Sequence, residues 1–136
     1  MKPLPIVLVL AFSIIAPALA QDVNPPDEGC PTIGLGIEGT VQAVERAPSC
    51  TQAFKLMNQC SGGGLSDGPV GVAVRRRCEA SFLPRLKAAE RRAYRRELKR
   101  CLDRYSNRKG SLYGSLIAFC QVNHAVRLAK RYERRG

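Results

Sequence analysis

Apolar side chains recur every four residues at Val70, Val74, Cys78 and Phe82, a stripe that a helix keeps on one side. The run VGVAV alone also reads as a short strand, but the four-residue spacing continues well past it. Asp67-Gly68-Pro69 opens this helix, with proline tolerated in the first turn. Leu83-Pro84 bends or ends it, because the residue before proline avoids the α region. A second, longer helix is predicted from Leu86 to about Tyr105, rich in strong helix formers, with Tyr94, Leu98, Cys101, Leu102 and Tyr105 on its buried side. After a turn at SNRKGS, a third runs from about Ser111 to Tyr132, with Tyr113, Leu116, Ile117, Cys120, His124 and Leu128 along one side. Upstream, SCTQAFKLMNQC predicts a shorter helix. Ser49 is its N-cap, with Gln52 in the capping-box position, and Phe54, Met57 and Cys50 or Cys60 share a side. SGGGLSDG, which follows, is a loop by its chemistry.

The N-terminal pattern is of another kind. Lys2, the apolar LPIVLVLAFSII and the small-residue step Ala18-Leu19-Ala20 match a secretory signal peptide over residues 1–20, cut between Ala20 and Gln21. A membrane anchor fits less well, since the run is broken by Pro17 and falls short of the ~20 residues a spanning helix needs. The expected location is therefore periplasmic or secreted. Residues 21–48 are rich in proline, acid and glycine and predict an irregular leader, in which TVQAVER makes one or two helical turns. Residues 49–136 form the expected helical domain.

Export changes the meaning of the cysteines. All six (Cys30, Cys50, Cys60, Cys78, Cys101 and Cys120) follow the expected cut, and an even number in an exported chain reads as a disulfide framework. No C-x-x-C pair occurs and His124 is the only histidine, so neither a metal site nor a cofactor is expected. Six cysteines allow about 15 pairings, among which the sequence alone does not choose; hairpin symmetry by itself suggests Cys50 with Cys78 across the glycine loop and Cys101 with Cys120 across SNRKGS, which would leave Cys30 for Cys60. The fold class that results is all-α: a small disulfide-bonded bundle of three to four helices behind an irregular leader.

Charge divides the chain. Residues 21–74 hold two basic side chains, Arg46 and Lys55, against six acidic ones, whereas residues 75–136 hold nineteen basic against five acidic. The centre of this asymmetry is ERRAYRRELKRC. There Arg92, Arg96 and Arg100 make one row at i, i+4 spacing, and Arg91, Arg95 and Lys99 make another. Such rows destabilise an isolated helix by about 0.2–0.5 kcal/mol per like-charged pair. They read either as a solvated face or as a site for an anionic partner, since arginine binds phosphate and carboxylate in a bidentate fork. Glu79, Glu90 and Glu97 each have arginine three or four residues away, which predicts surface ion pairs rather than paired catalytic acids.

Catalytic motifs are missing. There is no H-E-x-x-H, G-x-S-x-G or Walker A pattern, and SGGGLSDG lacks the Gly-Lys-Ser/Thr ending of a phosphate loop. His124 reads as a packed or half-buried histidine, so no enzymatic activity is expected. Sequence-specific nucleic-acid binding is not expected, given the export signal and the lack of any groove-reading motif.

Three segments of the C-terminal part resemble the LprI-like family of small bacterial exported proteins, named after a lysozyme inhibitor. LKAAERRAYRRELKRC keeps the family's spacing from Leu86 through Glu90 to Cys101. GSLYGSLIAFC has its Gly-Ser step, here Gly110-Ser111, ahead of Cys120, and TQAFKLMNQC is similar to the segment near its first helix. The chain departs from the family in having no tryptophan, with Ala93 at the usual place, and in its glycine loop. The resemblance implies an all-helical, disulfide-bonded exported domain, and lysozyme inhibition as the activity of some members. The expectation is thus a non-catalytic binding protein: either a lysozyme inhibitor or envelope-protein partner, or a cationic binder of anionic envelope lipids or polymers. Secreted lysozymes are commonly basic, so an inhibitor would have to meet them through the acidic half before Arg75.

Overall fold

The predicted stripe is the spine of the molecule. In the computed structural model, which describes residues 29–134, Val70, Val74, Cys78 and Phe82 are all buried on one helix. Among the described residues five α-helices follow in order: α1 (Gly36–Glu45), α2 (Cys50–Cys60), α3 (Asp67–Phe82), α4 (Ala88–Tyr105) and α5 (Ser111–Glu133). Among the described residues there is no strand, so the fold is an all-helical disulfide-bonded bundle. The expected signal peptide, residues 1–20, and the leader's first eight residues lie outside the described residues.

The helix boundaries follow local chemistry. Ser49 is extended and accepts the N–H of Gln52 at 3.2 Å, which caps α2 as the sequence predicts. Pro84 turns the chain through a short 3-10 segment, Leu83–Arg85, at the end of α3. Gly110 precedes α5 at φ +115°, a conformation that L side chains rarely adopt.

α3 packs against α1, α2 and α5, while α4 lies mainly against α5. At the base of the core, the Phe82 ring meets Tyr94 edge-on at 5.2 Å between centroids and Tyr132 at 6.3 Å. The disulfides are Cys30–Cys60, Cys50–Cys78 and Cys101–Cys120, the pairing that hairpin symmetry predicts. Two of them staple α2, one to the segment before α1 and the other to α3. The third joins α4 to α5.

Three expectations need correction. First, the leader is not irregular throughout: α1 lies within it, and Thr40 and Val44 are buried. The Thr32 and Thr40 hydroxyls bond at 2.6 Å, tying the segment before α1 to that helix. Second, α5 does not bury the side carrying its largest residues. Ser115, Ala118, Val122, Ala125, Val126 and Ala129 enter the core, while Leu116 stays 37% exposed. Close approach to α3 at Gly71 explains this: a Cβ there would stand 2.8 Å from the Cβ of Ala118, so the crossing at that point admits only small side chains, whereas Tyr132 packs on Phe82 further along. Third, Leu102 is 47% exposed and Tyr105 only half-buried, so the inner side of α4 is narrower than predicted.

Candidate functional site

Two surfaces concentrate charge, the outer face of α4 and the groove that α4 shares with α5. Of the six predicted anion-binding side chains, three are already engaged. Arg91 is half-buried and donates to the carbonyls of Leu83 and Leu86 at 3.2 and 3.4 Å. Lys99 pairs with Asp103 at 2.6 Å, and Arg100 with Glu97 at 2.5 Å. The other three, Arg92, Arg95 and Arg96, are exposed and make no ion pair or side-chain hydrogen bond among the described residues. Arg95 and Arg96 each neighbour Arg92, at i+3 and i+4, with about 5–6 Å between Cβ atoms. That spacing is inside the ~8 Å Debye length of physiological salt, so the mutual repulsion survives in solution.

The second surface is a groove of about 390 Å³ between α4 and α5. The two helices run antiparallel, which sets Glu90 opposite Tyr132, Glu97 opposite His124, and Cys101 onto Cys120. Glu90 and Glu97 line the α4 side and Arg127 and Arg131 the α5 side, over a floor that includes Ala93 and Leu128. Glu90 does not make the predicted ion pair. Its carboxylate accepts the N–H of Lys87 at 2.8 Å, capping α4, and the Tyr132 hydroxyl at 3.4 Å. Glu79 and Glu97 do pair locally, with Arg75 at 2.8 Å and with Arg100.

His124 lies in this groove rather than in the core. Its Nδ1 takes a hydrogen bond from Arg127 at 2.9 Å, and its Nε2 stands 4.0 Å from Glu97. Burial lowers its pKa below the ordinary 6.5, and the neighbouring Arg127 charge adds to that, outweighing the pull of Glu97. The sulfurs of Cys101 and Cys120 are close enough to His124 to suggest a metal triad, but both are spent in a disulfide and offer no thiolate. Tyr94 is closed to proton transfer near neutrality: burial raises its pKa above the usual phenol range, as does its hydroxyl bond to Glu79 at 2.8 Å.

The glycine loop holds its own anion. Asp67 is 1% exposed, and its Oδ2 accepts the N–H of Gly63 at 3.1 Å together with the hydroxyl of Ser115. The Asp67 side chain thus ties the glycine loop to α5.

The class that fold and surface define is a small, disulfide-bonded helical bundle with a cationic outer helix. No family model, curated protein or solved structure matches the chain.

Proposed function

We propose that the protein is an exported, non-catalytic binding protein whose α4 face engages anionic envelope partners, lipid headgroups or acidic wall polymers. The observation that carries this reading is the triad of Arg92, Arg95 and Arg96, exposed on one turn without countercharge. Structural use would have spread or paired these side chains, as happens to Arg91, Lys99 and Arg100 on the same helix. Export is supported by three intramolecular disulfides, which suit an oxidising compartment. Among the described residues no helix is long and apolar enough to cross a membrane.

Each cationic side chain near an anionic surface contributes about 1 kcal/mol. Replacing Arg92, Arg95 and Arg96 by Gln should therefore weaken binding to phosphatidylglycerol-containing vesicles by about two orders of magnitude. Co-sedimentation at low and high salt measures it. Binding that is insensitive both to salt and to the triple substitution sinks the reading.

A second reading, lysozyme inhibition of the LprI-like kind, is favoured by a different observation. Ile33 and Leu35 are 84% and 64% exposed on a segment pinned by Cys30–Cys60, with Glu38 exposed in the turn after them. An apolar tip with an acid beside it suits the cleft of a basic protein. Wall lysis by lysozyme should then slow at stoichiometric amounts of the protein, and Leu35→Ser should relieve the effect.

A further inference from the structure

The groove between α4 and α5 has opposite charges on its two walls that do not close on each other. Among the described residues, Glu90 and Glu97 make no ion pair with Arg127 or Arg131. Glu97 turns to Arg100, Arg127 is held by His124, and Arg131 has no partner among the described residues. His124 faces Glu97, and Arg131 stands seven residues further along α5, so the Glu97 and Arg131 ends of the groove are about 10 Å apart at 1.5 Å per residue. An extended peptide of three residues spans about the same distance.

We propose that this groove binds a short peptide with free ends, of about three residues, as a zwitterion. Arg131, exposed and unengaged, receives the terminal carboxylate in a bidentate contact. Glu97, whose Oε1 is held by Arg100 but whose Oε2 stands 4.0 Å from His124 on the groove side, receives the terminal ammonium through Oε2. Ala93 and Leu128 form an apolar floor that accepts small alkyl side chains. The volume of the groove, about 390 Å³, falls in the range of small-molecule sites. This site is separate from the outer arginine triad and does not depend on it.

The test is a titration of the intact disulfide-bonded protein with trialanine, followed by amide chemical shifts. Free-ended trialanine should bind saturably and move amides near Glu97, His124 and Arg131. Amidating its C-terminus should weaken binding about tenfold, the scale of one lost charge-assisted contact. Arg131→Gln should bind the free and amidated peptides alike, and Arg131→Lys should recover part of the preference. The Arg92→Gln, Arg95→Gln, Arg96→Gln triple variant should bind trialanine as the parent protein does, so loss of the envelope reading would leave this site standing. Absence of saturable shifts overturns the proposal, as does equal binding of a peptide blocked at both ends. Shifts confined to the outer face of α4, and lost in the triple variant, overturn it as well.

Discussion

α3 and α4 are similar in length and differ in how they are held. Seven of the 16 residues of α3 are buried, whereas α4 buries only Tyr94 and Cys101 among 18. α3 touches three other helices and is stapled to α2 through Cys50–Cys78 in the core. α4 lies mainly on α5, is tied there by Cys101–Cys120, and carries the exposed arginine triad. The charge has been placed on the less buried of the two helices. That separation lets the repulsion build up without disturbing the packing that sets the fold.

The sharpest way to break the comparison is to remove one large side chain from each helix. Phe82→Ala should cost about 3–5 kcal/mol in urea unfolding, the range for a buried aromatic truncated to Ala. Leu102→Ala, on the exposed side of α4, should stay within about 0.5 kcal/mol. Next in size is the α4–α5 staple. A loop of this length, with partners 19 residues apart, gives about 3 kcal/mol in the chain-entropy account of cross-links. Replacing Cys101 and Cys120 by Ala should therefore lower stability by that order, and amide exchange should accelerate in α4 well before α3. Equal acceleration in both would mean that α4 is not the more loosely held helix.

A smaller effect, of opposite sign, comes from the charges. Gln at Arg92, Arg95 and Arg96 should stabilise the protein by about 0.5–1 kcal/mol at low salt, by relieving several like-charged i, i+4 contacts. Thermal melts at two salt concentrations check this, because the gain should shrink as salt rises. The smallest effect belongs to His124, whose folded pKa lies below 6.5. The unfolded chain then binds the proton more tightly, so stability is greatest above pH 6.5 and declines as pH falls through the folded value. His124→Gln should flatten the stability profile in that window and leave it unchanged above.

Much of the fold was legible because it rests on strict spacing. The four-residue stripe of α3 survives any reasonable helix register, and cysteines placed on either side of a short loop meet when the hairpin closes. α1 was harder to read, because Gly34, Gly36 and Gly39 weaken the local helix signal while tertiary burial of Thr40 and Val44 overrides it. The core face of α5 was misread for a reason of size. Reading the largest side chains as the buried ones points to Leu116, but the tight approach at Gly71 selects Ser115 and Ala118 instead. The exposed triad on α4 was visible as two charged rows, although only the structure separates Arg92, Arg95 and Arg96 from their engaged neighbours. The groove had no signal along the chain at all. Glu90, Glu97, Arg127 and Arg131 each look like ordinary surface ions until the antiparallel register of α4 and α5 sets them face to face.

On the proposed reading, the exposed turn of Arg92, Arg95 and Arg96 would tie folding to occupancy. A polyanion seated there would neutralise self-repulsion in the native state, so the bound complex should melt higher than the free molecule. By mass action, an anion at a hundred times its dissociation constant adds about 2.7 kcal/mol if it binds only the native form. The chain would then be sturdiest where its counterpart is most abundant, and a dilute, desalted preparation would show it at its weakest.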